Sequence, residues 1–117
     1  MTIIEIKREK QSNGIWGMPL NCMKISNFRL LLNEKNYILH SALLAAIDEK
    51  YNSKFEVINM YDDAFTISID SVNNFSKKLF YITYSNFEVI DNTLYEFDNK
   101  IEHTRFLRKY KLKYLKI

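Results

Sequence analysis

NEKNYILHSALLAAIDEKY, residues 33–51, runs directly into NSKFEVINMYDDAFTISID, residues 52–70, and the apolar period changes at the join. In the first segment Leu39, Leu43, Ile47 and Tyr51 recur every four residues with Ala42 and Ala46 beside them, which is the spacing of one helical face. Asn33 stands where an N-cap belongs, and Glu34 follows in the first turn, where a carboxylate complements the helix dipole. The sequence therefore predicts a helix over 33–51 that ends at Asn52-Ser53. Its small residues Ala42, Ala45 and Ala46 suit close packing on a sheet, and His40 is expected on its polar side.

In the second segment the period is two. Phe55 and Val57 alternate with Glu56 and Ile58, and Phe65, Ile67 and Ile69 alternate with Thr66, Ser68 and Asp70. Asp62-Asp63 between them reads as a turn, because Asp bonds nearby backbone amides in that setting. Strand patterns continue over 79–84, 87–90 and 93–97, separated by Ser85-Asn86 and Asp91-Asn92, with a loop expected over 73–78. Connections this short make antiparallel neighbours and leave no room for parallel crossovers.

Upstream, residues 2–8 form a strand pattern with Ile4 and Ile6 on one face. Asn13-Gly14 supplies a tight turn, and 15–20 reads as an irregular return. Residues 23–32 fit either a strand or a helix. At the other end, Asn99 with Glu102 resembles a capping box, whereas Lys109, Lys111 and Lys113 alternate with Tyr110, Leu112 and Tyr114. The expectation there is a short helix over 100–107 followed by a final strand.

The fold class expected is α+β, with one main amphipathic helix packed on an antiparallel, meander-like sheet of about four to six strands. At 117 residues the chain suits a single domain over 1–117. Cys22 is the sole cysteine, which excludes an internal disulfide and fits a reducing compartment, so a cytoplasmic home is expected. Neither a signal-peptide pattern nor an apolar run of spanning length is present, and no membrane association is expected.

Enzyme signatures are sparse. With glycine only at 14 and 17, neither common phosphate loop can form. Cys22, His40 and His103 lack a recognised zinc spacing, and no metal, cofactor or catalytic residue is expected. Cys22 reads as a small buried hydrophobe, and His103 beside Thr104 and Arg105 as a solvated helix end.

Charge is the informative quantity. Residues 55–99 hold two lysines against eight Asp/Glu, a net of −6, and residues 100–117 hold seven Lys/Arg against one Glu, a net of +6. An anionic surface from Asp62, Asp63, Glu88, Asp91 and Glu96, with Tyr or Phe anchors from an aromatic content of 15%, suits a cationic protein partner. The expected function is a non-enzymatic inhibitor of the bacterial immunity or antitoxin kind, neutralising a cationic toxin domain such as a nuclease. The alternative is nucleic-acid binding through Arg105, Arg108, Lys109, Lys111, Lys113 and Lys116, which would neutralise phosphates.

Overall fold

Asn33 opens the main helix as its side chain permits: Oδ1 accepts the Asn36 amide at 2.8 Å. The helix closes at Asn52, which takes the left-handed conformation (φ 48°) and donates its amide to the Asp48 carbonyl. A computed structural model describes residues 1–17, 19–23, 31–70 and 77–114, with side chains to residue 110. Its elements are β1 (Thr2–Glu5), α1 (Glu34–Tyr51), β2 (Phe55–Met60), β3 (Ala64–Asp70), β4 (Lys77–Thr83), β5 (Phe87–Ile90), β6 (Thr93–Glu96) and α2 (Lys100–Tyr114). A 3-10 turn, Tyr84–Asn86, joins β4 to β5.

The architecture is α+β, and every strand pairing is antiparallel. The strands form two three-stranded sheets, ordered β1-β6-β5 and β2-β3-β4. The 3-10 turn is what divides them, since it interrupts the strand path just where β4 would pass into β5. In the first sheet Ile4, Val89, Leu94 and Phe87 face α1, while Tyr95 meets Phe106 of α2 on the opposite face with ring centroids 4.6 Å apart. The second sheet turns Phe65, Ile67 and Ile69 toward α1. Its β2 strand carries a bulge between Val57 and Asn59, which shifts Ile58 out of register.

Helix α1 is consequently enclosed rather than half-covered. Leu39 through Asp48 are all buried, including His40, Ser41 and Asp48, where a single apolar stripe was expected. His40 is 0% exposed, so its expected place on a polar face is corrected: a second sheet and the N-terminal loop occupy what would have been the wet side. The Ser41 hydroxyl accepts the Trp16 amide of that loop at 3.3 Å. Within the loop Gly14 has φ 82°, and Lys10 and Trp16 bridge across the turn that Asn13-Gly14 promised, without forming a full return strand.

The tail is also corrected. Residues 109–114 continue α2 and make no strand. Asn99 Oδ1 accepts the Glu102 amide at 2.9 Å, and Phe106 packs against both Tyr95 and Phe97, so the capping signal and the 3.6-residue spacing prevail over the lysine–tyrosine alternation. Lys77 and Lys78 belong to β4 and not to the preceding loop. Residues 24–30 of the ambiguous segment and 73–76 of the expected loop lie outside the described residues, as does Lys116.

Asp48 is 5% exposed in the last turns of α1, a position where the helix dipole disfavours a carboxylate. It is held by Arg8 Nη2, by the Leu20 and Asn21 amides at 3.3 and 3.0 Å, and by Asn21 Nδ2 at 2.9 Å. Neighbouring Glu49 accepts the amides of Lys7 and Arg8. Burial alone would raise the Asp48 carboxyl, but the hydrogen bonds from Arg8 and Asn21 outweigh it and hold the group below its ordinary range. Replacing Asp48 with Asn should cost about 2–3 kcal/mol in urea unfolding, because Arg8 loses the more buried of its two carboxylate partners and keeps only Glu49, 3.5 Å from its Nε. Glu9→Ala, at an exposed neighbour, should stay within about 0.5 kcal/mol. Equal stabilities for the two variants would refute the clamp.

Candidate functional site

Three of the five carboxylates expected to form an anionic surface gather at one end of the molecule, around the N-terminus of α1. The β2–β3 turn is closed by the Tyr61 amide on the Ala64 carbonyl at 2.9 Å. It is fixed to α1 by Asn36 Nδ2, which donates to the Asp62 carbonyl at 3.2 Å. The Tyr84 amide donates to the Asp63 carbonyl at 3.0 Å, which ties the same turn to the 3-10 segment. Both carbonyls are thereby used internally, while the Asp62 and Asp63 side chains are exposed and make no ion pair among the described residues. Tyr61, 49% exposed, stands beside them.

Glu88, on β5, faces the same end but is engaged. Its Oε1 lies 3.3 Å from Lys35 Nζ in the first turns of α1 and 2.9 Å from His103 Nε2 on α2. The His103 ring stacks on Phe97 at 4.4 Å, so this residue, expected as a solvated helix end, locks α2 to the sheet. Lys35, Ile38, Leu39, Glu88 and Val89 line a shallow hollow of about 180 Å³ beside this contact.

Glu96 and Asp91 lie elsewhere. Glu96 pairs with Phe87 and lines a groove between the two sheets. Asp91 occupies the β5–β6 turn with φ 54°, at the opposite end of that hairpin from Glu96, and its carbonyl accepts Lys10 Nζ at 3.2 Å. A four-residue strand spans about 13 Å, so Asp91 does not share a compact surface with Asp62 and Asp63 through this hairpin.

The basic set is likewise resolved by the helix. Arg105, Arg108 and Lys109 are exposed at i, i+3 and i+4 on α2 and share a stripe, which a strand would have split. Lys111 and Lys113 lie in the same helix, with side chains outside the described residues. Nothing joins Cys22 to His103: Cys22 bridges to Phe55 at the edge of one sheet, and His103 packs on the outer face of the other. Among the described residues no three His, Cys, Asp or Glu side chains are grouped to hold a metal ion, and no helix is long and apolar enough to cross a membrane.

His40 and Tyr84 form a buried polar pair, with Nδ1 and the hydroxyl 2.8 Å apart and the imidazole edge-on to Phe65 at 4.5 Å. Burial lowers the His40 pKa to about 4 and pushes the Tyr84 phenol up. At 0% and 2% exposure the imidazole and the phenol of the pair lie inside the core. Sequence reasoning missed it because the partners are 44 residues apart.

Comparison of the chain with protein-family models, with curated proteins and with solved structures finds no match, so function is read from its own residues.

A histidine held neutral in the fold stabilises it fully above its unfolded pKa near 6.5 and loses that contribution as pH falls to about 4, where the folded state also takes up the proton. The wild-type protein should lose about 3 kcal/mol more over this interval than His40→Leu. Parallel stability–pH curves from urea unfolding would contradict this.

Proposed function

We propose that the chain is a non-enzymatic protein-binding inhibitor, of the immunity or antitoxin kind, which docks on a cationic toxin domain with the end formed by Tyr61, Asp62, Asp63 and Glu88. The supporting observation is the β2–β3 turn: a half-exposed tyrosine beside two carboxylates unpaired among the described residues, held in place by the Asn36 side chain of α1 and the Tyr84 amide of the 3-10 segment. Such an arrangement joins a rigid amphipathic anchor to a negative field, the combination that speeds encounter and then holds it. Glu88 adds less field than its formal charge suggests, because Lys35 already neutralises it. Glu96 and Asp91 fall outside the docking end in this reading. The partner is to be captured from the native host and identified by mass spectrometry. Against it, Asp62→Lys with Asp63→Lys should slow association about tenfold or more. Asp91→Asn, which keeps a turn residue tolerant of positive φ, should leave the rate unchanged. A double reversal without kinetic effect rejects the acidic docking end.

A second reading, nucleic-acid binding, is supported by the exposed stripe Arg105, Arg108 and Lys109 on α2. Three phosphate contacts would give a plot of log affinity against log salt with a slope of about −3. Lack of RNA or DNA binding at low salt removes this reading.

A further inference from the structure

The two edges of the β2-β3-β4 sheet are treated differently. At β2 the edge is covered: Cys22 bridges to Phe55, the Phe55 amide reaches the Asn21 carbonyl at 2.9 Å, the Met23 amide reaches the Phe55 carbonyl at 2.7 Å, and the bulge at Val57/Asn59 breaks the remaining ladder. At β4 nothing comparable is present among the described residues. Seven residues, KKLFYIT, offer their outer backbone groups, with Leu79 and Tyr81 65% and 66% exposed on one face. On the other face Phe80 and Ile82 form a wall of the inter-sheet groove, about 340 Å³, floored by Leu43, Ala46 and Ile47. A bare apolar edge of this length is a template for another strand.

We infer that the strand which covers it is β4 of a second copy, paired antiparallel about a two-fold axis through Phe80. The charges select this occupant. A parallel self-pairing would set Lys77 and Lys78 against themselves, whereas the antiparallel register sets Lys78 opposite Ile82, Leu79 opposite Tyr81 and Lys77 opposite Thr83. Lys78 shares its face with Phe80 and Ile82, the groove side, since side chains alternate along a strand. Each copy's Lys78 is therefore carried to the Thr83–Asn86 end of the other's groove. Glu96 lines the groove at that end, through its pairing with Phe87 and the bond from the Phe97 amide to the Asn86 carbonyl. Within one chain the two charges cannot meet in this way, because Lys78 lies about 16 Å along β4 from Thr83. The contact is made twice, and a two-fold pairing consumes both open edges, so the assembly stops at a dimer with a continuous six-stranded sheet.

The test is sedimentation equilibrium on the full chain and on two charge reversals, with circular dichroism to confirm that each is folded. Wild-type protein should dimerise in the micromolar range. Lys78→Glu and Glu96→Lys should each weaken the dimer about tenfold or more, because each homodimer then opposes like charges twice. Mixing the two variants should restore association: in the mixed dimer the two introduced side chains, opposite in charge, face each other at one contact, and the native Lys78 and Glu96 face each other at the second. Wild-type protein that stays monomeric throughout that range overturns the proposal and leaves the edge to an extended segment of another protein. A dimer indifferent to both reversals also overturns it, since the copies would then meet elsewhere.

Discussion

The enclosure of α1 is the constraint that governs the rest of the molecule. A helix buried from Leu39 to Asp48 carries polar side chains inside, and His40, Ser41 and Asp48 each meet a different part of the chain. Ser41 takes the Trp16 amide, His40 meets Tyr84, and Asp48 gathers Arg8 and Asn21. Polar bonds of this kind are worth little net when made and much when broken, so they decide which loop lies against which turn more than they add to stability. The apolar residues supply the driving force; the buried polar ones fix the register.

The same enclosure explains how the sorted charges are spent. Had α1 lain on one continuous sheet, the acidic middle of the chain would have met the basic tail across that sheet's wet face. Instead α2 covers the outer face of the first sheet through Phe106 and the Glu88–His103 contact, and its exposed stripe points Arg105, Arg108 and Lys109 to solvent. The acidic turn at Asp62-Asp63 sits at the head of α1 and makes no ion pair among the described residues. Among the described residues, Asp62 and Asp63 thus make no ion pair with Arg105, Arg108 or Lys109.

What was legible in the sequence was local chemistry. Asn33 as cap, Asn52 as terminator, Asn13-Gly14 and Asp62-Asp63 as turns, and β5 at its observed bounds each depend on residues within a few positions of one another. What was illegible depended on distant partners. Nothing beside His40 announces Tyr84, and nothing beside Asp48 announces Arg8. The tail misled because its alternation of Lys and Tyr is a true strand period; the Asn99 cap and the contacts of Phe106 with Tyr95, Phe97 and Tyr110 favour the helical one. Of the candidate site, the turn residues could be read from their type, whereas the separation of Asp91 from them needed the hairpin's direction.

The pairing of Thr2 with Glu96 carries a kinetic implication. The β2-β3-β4 sheet is assembled from neighbours in the chain, so its loops close cheaply. By contrast β1 must wait for β6, whose residues lie far downstream, and the entropy of that long closure falls on the first sheet. During synthesis Ile4 and Ile6 emerge well before β6 and stay unsheltered until it forms, which is where a chaperone would find its grip; the late appearance of amide protection at β1 in refolding would reveal that wait.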